Sequence, residues 1–152
     1  MLFAYDSSCL VPFLNQWHPQ HAATRADFKR RRQAHDNFVV MPHSLLETFA
    51  VLTRVPIPQR TAPADAVLAL EALVRMAQPG PSLTPETALR AMRNVTGVGR
   101  QGGAIYDAHL FLMAELAGVE EFVTWNTKDF VAYSKPSIKV ISPAGEHTPA
   151  RT

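Results

Sequence analysis

Cysteine, net charge and long apolar runs are all scarce in this chain of 152 residues. The single cysteine, Cys9, excludes an intramolecular disulfide framework and a zinc site built from several cysteines. The net charge of +2 is too small to indicate nucleic-acid binding by itself. The first apolar run, residues 2–5, is much shorter than a signal-peptide core or a membrane span, and no other run is long enough. We therefore expect a cytoplasmic protein that does not enter a membrane.

Short apolar segments alternate with longer amphipathic segments along the chain. Strands are predicted at residues 2–5, 38–40, 122–124 and 138–141, with a minimal strand at 82–83. Helices are predicted at residues 9–17, 19–35, 42–54, 63–77, 85–95 and 104–118. This alternation is typical of an α/β fold with a central, mostly parallel sheet flanked by helices. We expect residues 1–141 to form one domain and residues 142–152 to form a loose tail.

Four acidic residues lie beside or within apolar segments of the chain: Asp6, Glu47, Asp107 and Asp129. Asp6 and Asp129 each follow a predicted strand, and ligand sites of parallel sheets gather at the carboxyl ends of strands. Carboxylates that folding brings together repel one another, and burial adds to the cost of ionisation. A divalent cation relieves this cost, and ligands that are all oxygen suit Mg²⁺ or Mn²⁺. The pattern therefore indicates a metal site.

Structural roles compete with metal binding at the first two positions. Asp6 is a good helix N-cap, and that role stays open unless the two serines that follow it cap the helix instead. Glu47 lies three residues after Ser44, which is the spacing of a capping box. Pro42 suits the first position of the same helix, which would start before Ser44. The apolar neighbours of Glu47 favour a partly enclosed side chain.

The second pair of carboxylates differs in context. Asp107 interrupts a helix that we expect to be buried on nearly every side, where an unpaired carboxylate is costly. Asp129 lies in a polar segment that is typical of an ordinary turn. His109 on the Asp107 helix is interpreted as a hydrogen-bonded core histidine. The basic run at residues 29–32 is interpreted as a solvated helix face.

Together these segments resemble the PIN-domain ribonucleases, especially the VapC-type toxins of bacterial toxin–antitoxin pairs. The resemblance spans nearly the whole chain and is carried by four segments in order: Tyr5-Asp6-Ser7-Ser8, Leu45-Leu46-Glu47, Gly102-Gly103-Ala104-Ile105-Tyr106-Asp107-Ala108 and Val123-Thr124-Trp125-Asn126-Thr127-Lys128-Asp129-Phe130. One departure is Ala104, since family members often have a basic residue after the glycine pair. The acidic set is complete despite that change.

The resemblance implies a PIN-like three-layer fold with about five short strands, and metal-assisted hydrolysis of RNA. The carboxylates Asp6, Glu47, Asp107 and Asp129 would hold one or two Mg²⁺ or Mn²⁺ ions. Ser7, Thr124 and Asn126 would position the carboxylates or the substrate, and Arg90, Arg93 and Arg100 are candidates for contacts with RNA. The expected partners are a small antitoxin and a second copy of the chain. A PIN nuclease of RNA processing without an antitoxin, and a catalytically silent partner-binding module, are the alternatives.

Overall fold

Five parallel strands form a single sheet at the centre of the protein. The computed structural model describes residues 1–145. The strands are β1 (Leu2–Tyr5), β2 (Asn37–Val40), β3 (Gln78–Pro79), β4 (Glu121–Val123) and β5 (Lys139–Ile141). Their order across the sheet is β3-β2-β1-β4-β5, and each neighbouring pair is parallel. The most N-terminal strand is therefore the central one.

Helices cover both faces of this sheet. They are α1 (Ser7–Leu14), α2 (His21–Gln33), α3 (Pro42–Arg54), α4 (Pro63–Met76), α5 (Pro85–Gly97), α6 (Ala104–Leu116) and α7 (Thr127–Phe130). Core residues of α1, α2 and α4 pack on one face, and those of α5, α6 and α7 pack on the other. Helix α3 packs against α1 and α4. The predicted three-layer, PIN-like α/β fold is confirmed.

Strand β1 determines where the functional residues can meet. Its side chains alternate between the two apolar layers, with Phe3 and Tyr5 on one face and Ala4 on the other. All three are buried, as expected for an inner strand of a parallel sheet. Asp6 comes next, and its backbone N–H donates to the carbonyl of Val123 at the end of β4. Asp6 is consequently at the middle of the carboxyl edge of the sheet.

The edge strand beside β2 differs from the prediction. A minimal strand at residues 82–83 was expected, but the pairing strand is β3, four residues earlier. The prolines and glycine at residues 79–81 indicated a break, whereas proline is tolerated in an edge strand. A Cβ atom on Gly80 would lie 2.7 Å from the carbonyl oxygen of Val40, so only glycine allows this close approach. The polar turn expected at residues 126–129 is also wrong, because it forms the short helix α7.

Four side chains, which we call the ionic network, connect α2 to the sheet. Arg31 is only 1% exposed and donates to Asp27 at 2.8 Å and to Glu121 at 2.7 Å. The hydroxyl of Tyr5 donates to the same oxygen of Asp27, Oδ2, at 2.6 Å. The expectation that residues 29–32 form a solvated face is therefore wrong for Arg31, whose guanidinium turns inward over the ring of Phe3.

The C-terminal segment is described only in part. Residues 142–145 form a tight turn in which the N–H of Gly145 donates to the carbonyl of Ser142. Residues 146–152 of the expected tail lie outside the described residues. The division into a domain at 1–141 and a tail at 142–152 stays a prediction. Across residues 1–145, every helix is too short or too polar to cross a membrane.

Candidate active site

Asp6 is held in place by hydrogen bonds to both of its carboxylate oxygens. Oδ1 accepts from the Ser8 hydroxyl at 2.6 Å and from the backbone N–H of Cys9 at 3.3 Å. Oδ2 accepts from the Thr124 hydroxyl at 2.7 Å. Asp6 is therefore the N-cap of α1, and the alternative in which Ser7 or Ser8 caps that helix is wrong. The side chain is also only 3% exposed, at the end of the central strand.

Burial sets the acidity of this carboxyl group. Desolvation raises the pKa of Asp6 to about 6, although the hydrogen bonds from Ser8, Thr124 and Cys9 oppose the shift. The negative charge of Glu47 raises this pKa further. Asp6 is thus a carboxylate that pays a desolvation cost and meets like charge, which is the combination that a bound cation would offset.

Glu47 lies on the second turn of α3 and faces solvent. Its Oε2 accepts a hydrogen bond of 2.7 Å from the Ser7 hydroxyl at the start of α1. The capping-box alternative is wrong because α3 begins at Pro42 with Met41 as its N-cap. The expectation of a partly enclosed side chain is wrong as well, since Glu47 is exposed on the outward face of α3. This exposure leaves the carboxylate accessible to a ligand.

Asp107 lies in the first turn of α6 and is half-buried. Its pKa is raised by burial first, and then by the negative charges of Asp129 and Glu47; the positive charge of Arg100 opposes the shift. Helix α6 is less enclosed than expected, because Tyr106 and Leu116 are both exposed near its two ends. The open N-terminal turn is the part that presents Asp107 to the other carboxylates.

Asp129 and Asn126 belong to the segment that follows β4. Asp129 lies in α7 and is exposed, close enough to Asp107 to raise the pKa of the latter. The backbone N–H of Asn126 donates to the Thr124 hydroxyl oxygen at 2.9 Å, and the Asn126 side chain is exposed. Thr124 therefore connects Asp6 directly to the start of the segment that carries Asp129.

The four carboxylates, which we call the acidic edge, interact as charges without forming a ligand cage. Glu47 raises the pKa of both Asp6 and Asp107, and Asp129 raises that of Asp107. Within residues 1–145, no three side chains of His, Cys, Asp or Glu lie close enough together to hold one metal ion. The fold brings the four residues to one edge of the sheet, where Glu47 acts on both Asp6 and Asp107 and Asp129 acts on Asp107.

The three arginines named as RNA-contact candidates have different surroundings. Arg100 donates to the backbone carbonyls of Lys128 and Asp129 and so fixes the position of α7. A guanidinium nitrogen of Arg90 lies 3.8 Å from Glu115. Arg93 is exposed on α5, and no ion pair involving it occurs among the described residues. Contact with RNA stays a prediction for all three.

Two features of this edge were missed from the sequence. Ser8 contacts Asp6 directly and accepts from the backbone N–H of Trp125 at 2.9 Å, whereas Ser7 had been named for that role. Recognising Asp6 as the N-cap would have placed Ser8 beside it, in the first turn of the helix. His109, interpreted as a hydrogen-bonded core histidine, is half-buried, and its Nε2 has no partner among the described residues.

A three-layer α/β fold with interacting carboxylates at the carboxyl edge of its sheet is the arrangement expected of a PIN-type nuclease. No family model matches the chain. The chain is 34% identical over 141 residues to Ribonuclease VapC27 of Mycobacterium tuberculosis, covering 91% of this chain and 94% of that protein. It is 32% identical over 143 residues to Ribonuclease VapC40 of the same species, covering 91% and 97% of the two chains.

Solved structures agree with this relationship at the level of the fold. The crystal structure of M. tuberculosis VapC20, described as a sarcin–ricin loop cleaving toxin, superposes with a TM-score of 0.66 at 18% identity. That comparison covers 87% of this chain and 95% of the other. VapBC2 from Rickettsia felis gives the same TM-score at 11% identity, over 93% and 98% of the two chains. The chain belongs to the VapC family of PIN-domain ribonucleases.

Proposed function

We propose that the ribonuclease activity of this VapC-type chain resides in the acidic edge, with Mg²⁺ or Mn²⁺ as cofactor. The observation that supports this site is the accumulation of like charge: Glu47 and Asp129 raise the pKa of Asp107, and Glu47 raises that of Asp6. Groups with perturbed pKa values that gather at one edge are typical of functional sites. The carboxyl edge of a parallel sheet is also where such sites form.

The donor set fits a hard divalent cation. All four side chains offer carboxylate oxygens, the ligand type that Mg²⁺ and Mn²⁺ prefer. A carboxylate has roughly four lone-pair positions, and the three hydrogen bonds to Asp6 leave one of them, on Oδ2, for a cation. Glu47 and Asp129 are exposed and therefore able to turn toward such an ion. A bound cation would neutralise part of this charge and stabilise the charge that develops on the scissile phosphate.

The surrounding side chains position the carboxylates. Ser8 and Thr124 fix the orientation of Asp6, one on each oxygen. Ser7 holds Glu47 toward the start of α1. We propose that Asn126, which is exposed beside Thr124, and Arg93 contact the RNA. These groups would hold the phosphate backbone while the carboxylates act on the bond.

The proposed partners follow from the relatives. Solved structures with this fold include VapBC from Salmonella typhimurium bound to DNA, with a TM-score of 0.64 and 17% identity over 94% of this chain and 99% of that one. We propose that this chain likewise has a small antitoxin as its partner, that it forms a homodimer, and that it acts in the cytoplasm. A monomer at micromolar concentration in light scattering, without a partner, would count against the homodimer.

The test of the site is the substitution Asp107→Asn, which keeps the volume of the side chain and removes its charge. We expect Mn²⁺-dependent cleavage of a labelled RNA to fall to the level seen in EDTA. The matched control is Asp65→Asn, because Asp65 is also an aspartate in the first turn of a helix, α4, but is exposed away from the acidic edge. Cleavage by Asp107→Asn at the rate of the control would contradict the proposed site.

A further inference from the structure

An apolar groove of about 410 Å³ opens between α3, α5 and α6. Leu46, Leu83 and Met92 contribute exposed side chains to its walls. Among the described residues that line it there is no Asp, Glu, Lys or Arg, and its only ionisable groups are His43, His109 and Tyr106. The groove offers no arginine or lysine to a phosphate group, so it suits an uncharged, largely apolar group.

The groove lies next to the acidic edge. Leu46 immediately precedes Glu47 on α3, and Tyr106 immediately precedes Asp107 on α6. The charge of His43 acts on Asp107 and lowers its pKa, which also indicates that the groove and the carboxylate are close. An RNA strand with one phosphate at the carboxylates would therefore carry its neighbouring nucleotides past this groove.

Two of the aromatic rings that line the groove stack on each other. The rings of His43 and Tyr106 are parallel to within 6°, with their centroids 5.8 Å apart. Tyr106 is 62% exposed, an unusual position for a large aromatic side chain beside a charged site. Further inside, the buried Nε2 of His109 lines the groove without a hydrogen-bond partner among the described residues.

We propose that this groove is a nucleobase subsite, in which a base next to the scissile phosphate of the RNA stacks on Tyr106. The subsite rests on the proposed ribonuclease site and adds to it a determinant of substrate choice. Nucleobases stack on exposed aromatic side chains when single-stranded RNA is bound. His43 supports the tyrosine ring from one side. His109 Nε2 is a group that can form a hydrogen bond with the edge of the base.

The first experiment maps the ends produced when a random RNA pool is cleaved in Mn²⁺. We expect the wild-type chain to prefer certain bases at one position near the cut, and Tyr106→Ala to lose the preference at that position. Removal of one base stack should lower kcat/KM by roughly 5- to 150-fold. Tyr106→Phe retains the ring and should retain both properties. The control is Trp17→Ala, because Trp17 is similarly exposed, at 60%, beyond the far end of α1.

The second experiment observes stacking directly. Single-stranded RNAs with 2-aminopurine at successive positions are bound to the chain in the Asp107→Asn background, which prevents cleavage. We expect the fluorescence to be quenched at one position, and this quenching to disappear when Tyr106→Ala is added. Because Tyr106 is exposed, its replacement should leave the melting temperature unchanged, which thermal unfolding checks.

The results of these experiments distinguish an error in the nucleobase subsite from an error in the acidic edge. If the wild-type chain cleaves RNA but Tyr106→Ala has the same rate, base preference and quenching, the subsite is wrong and the acidic edge stands. If Asp107→Asn cleaves as well as the wild type, the acidic edge itself is wrong. If Tyr106→Ala converts a dimer into a monomer without changing base preference, the groove binds a second copy of the chain. If Tyr106→Ala loses only its binding to a protein partner, the nucleobase subsite is wrong as well.

Discussion

Two clusters of charged side chains lie close to β1. One pairs opposite charges, and the other brings like charges together. In the ionic network, the carboxylates of Asp27 and Glu121 both bind the guanidinium of Arg31. Burial lowers the pKa of Arg31, but the hydrogen bonds to these carboxylates outweigh burial and raise it. At the acidic edge, by contrast, the pKa of Asp6 and of Asp107 is raised by burial and by other carboxylates.

The difference separates charges that stabilise the fold from charges that are held at a cost. A buried ion that has its partner is hydrogen-bonded and compensated, so removing one member leaves an isolated charge. A cluster of like charge lowers stability until a ligand of opposite charge arrives, which is the usual condition of a functional site. Substitutions should therefore have opposite effects on stability in the two clusters.

The largest effect is expected for Arg31→Met. This change removes the buried guanidinium that Asp27 and Glu121 share and leaves Asp27 with only the exposed Arg30 as an ion-pair partner, so it should lower the free energy of unfolding by about 3–5 kcal/mol. Denaturation with urea measures the loss. Lys29→Ala, on an exposed position of the same helix, is the control and should change the value by less than about 0.5 kcal/mol. If Arg31→Met lowers the free energy of unfolding as little as the control does, the ionic network does not stabilise the fold.

A somewhat smaller effect is expected at Asp6, where the ionised side chain lowers the stability of the fold instead of raising it. Its folded-state pKa of about 6 lies above the unfolded value of 3.8, so the folded state binds the proton more tightly between these values. Stability without divalent ions should therefore decrease by about 3 kcal/mol as the pH rises from about 4 to about 6, at 1.36 kcal/mol per pKa unit. Asp6→Asn should abolish this part of the pH dependence. An unchanged pH profile would show that Asp6 is not held at a cost.

Much of this contrast, but not all of it, could be predicted from the sequence. The apolar strands and the prolines at helix starts correctly indicated the fold. The four acidic positions indicated the candidate site, whose residue roles stay a proposal. Arg31 was missed because it is one of three consecutive arginines. A run of like residues does not reveal which member faces inward, and that depends on the rotation of α2 against the sheet.

The details of the acidic edge depended on contacts between distant segments. Ser8 and Ser7 are equivalent in the sequence, yet one binds Asp6 and the other binds Glu47 from the neighbouring helix. The pairing follows from the start of α1 at Ser7, which Asp6 as the N-cap would have indicated, and from the packing of α1 on α3, which has no local signal. The stack of His43 on Tyr106 joins two helices far apart in sequence and had no local signal either.

These two serines provide a prediction of intermediate size. Ser8→Ala removes a hydrogen bond to Asp6 and leaves the backbone N–H of Trp125 without its partner. We expect cleavage or Mn²⁺ affinity to fall by about 10- to 100-fold, which is typical when a group that orients a metal ligand is lost. Ser7→Ala is the matched control and should have a smaller effect, because Glu47 is exposed and free to reorient. Equal effects would show that the two serines do not differ in role.

The smallest effect is expected for Arg93→Ala, which tests the RNA path along α5. If Arg93 contacts one phosphate, the slope of log affinity against log salt concentration should become shallower by about 0.7 for single-stranded RNA. Filter binding at several salt concentrations measures the slope. Arg75→Ala, an exposed arginine on α4, serves as the control. A slope unchanged from the wild type would remove Arg93 from the proposed interface.

If the acidic edge holds a divalent cation, a calorimetric titration with Mn²⁺ at pH 7 should detect its binding. The wild-type chain should bind Mn²⁺, and Asp107→Asn should bind it much more weakly although its volume and fold are preserved. In EDTA the same variant should melt at the same temperature as the wild type or above it, because a repulsive charge has been removed. Equal Mn²⁺ binding by the two proteins, or none by the wild type, would show that the acidic edge does not hold the cation.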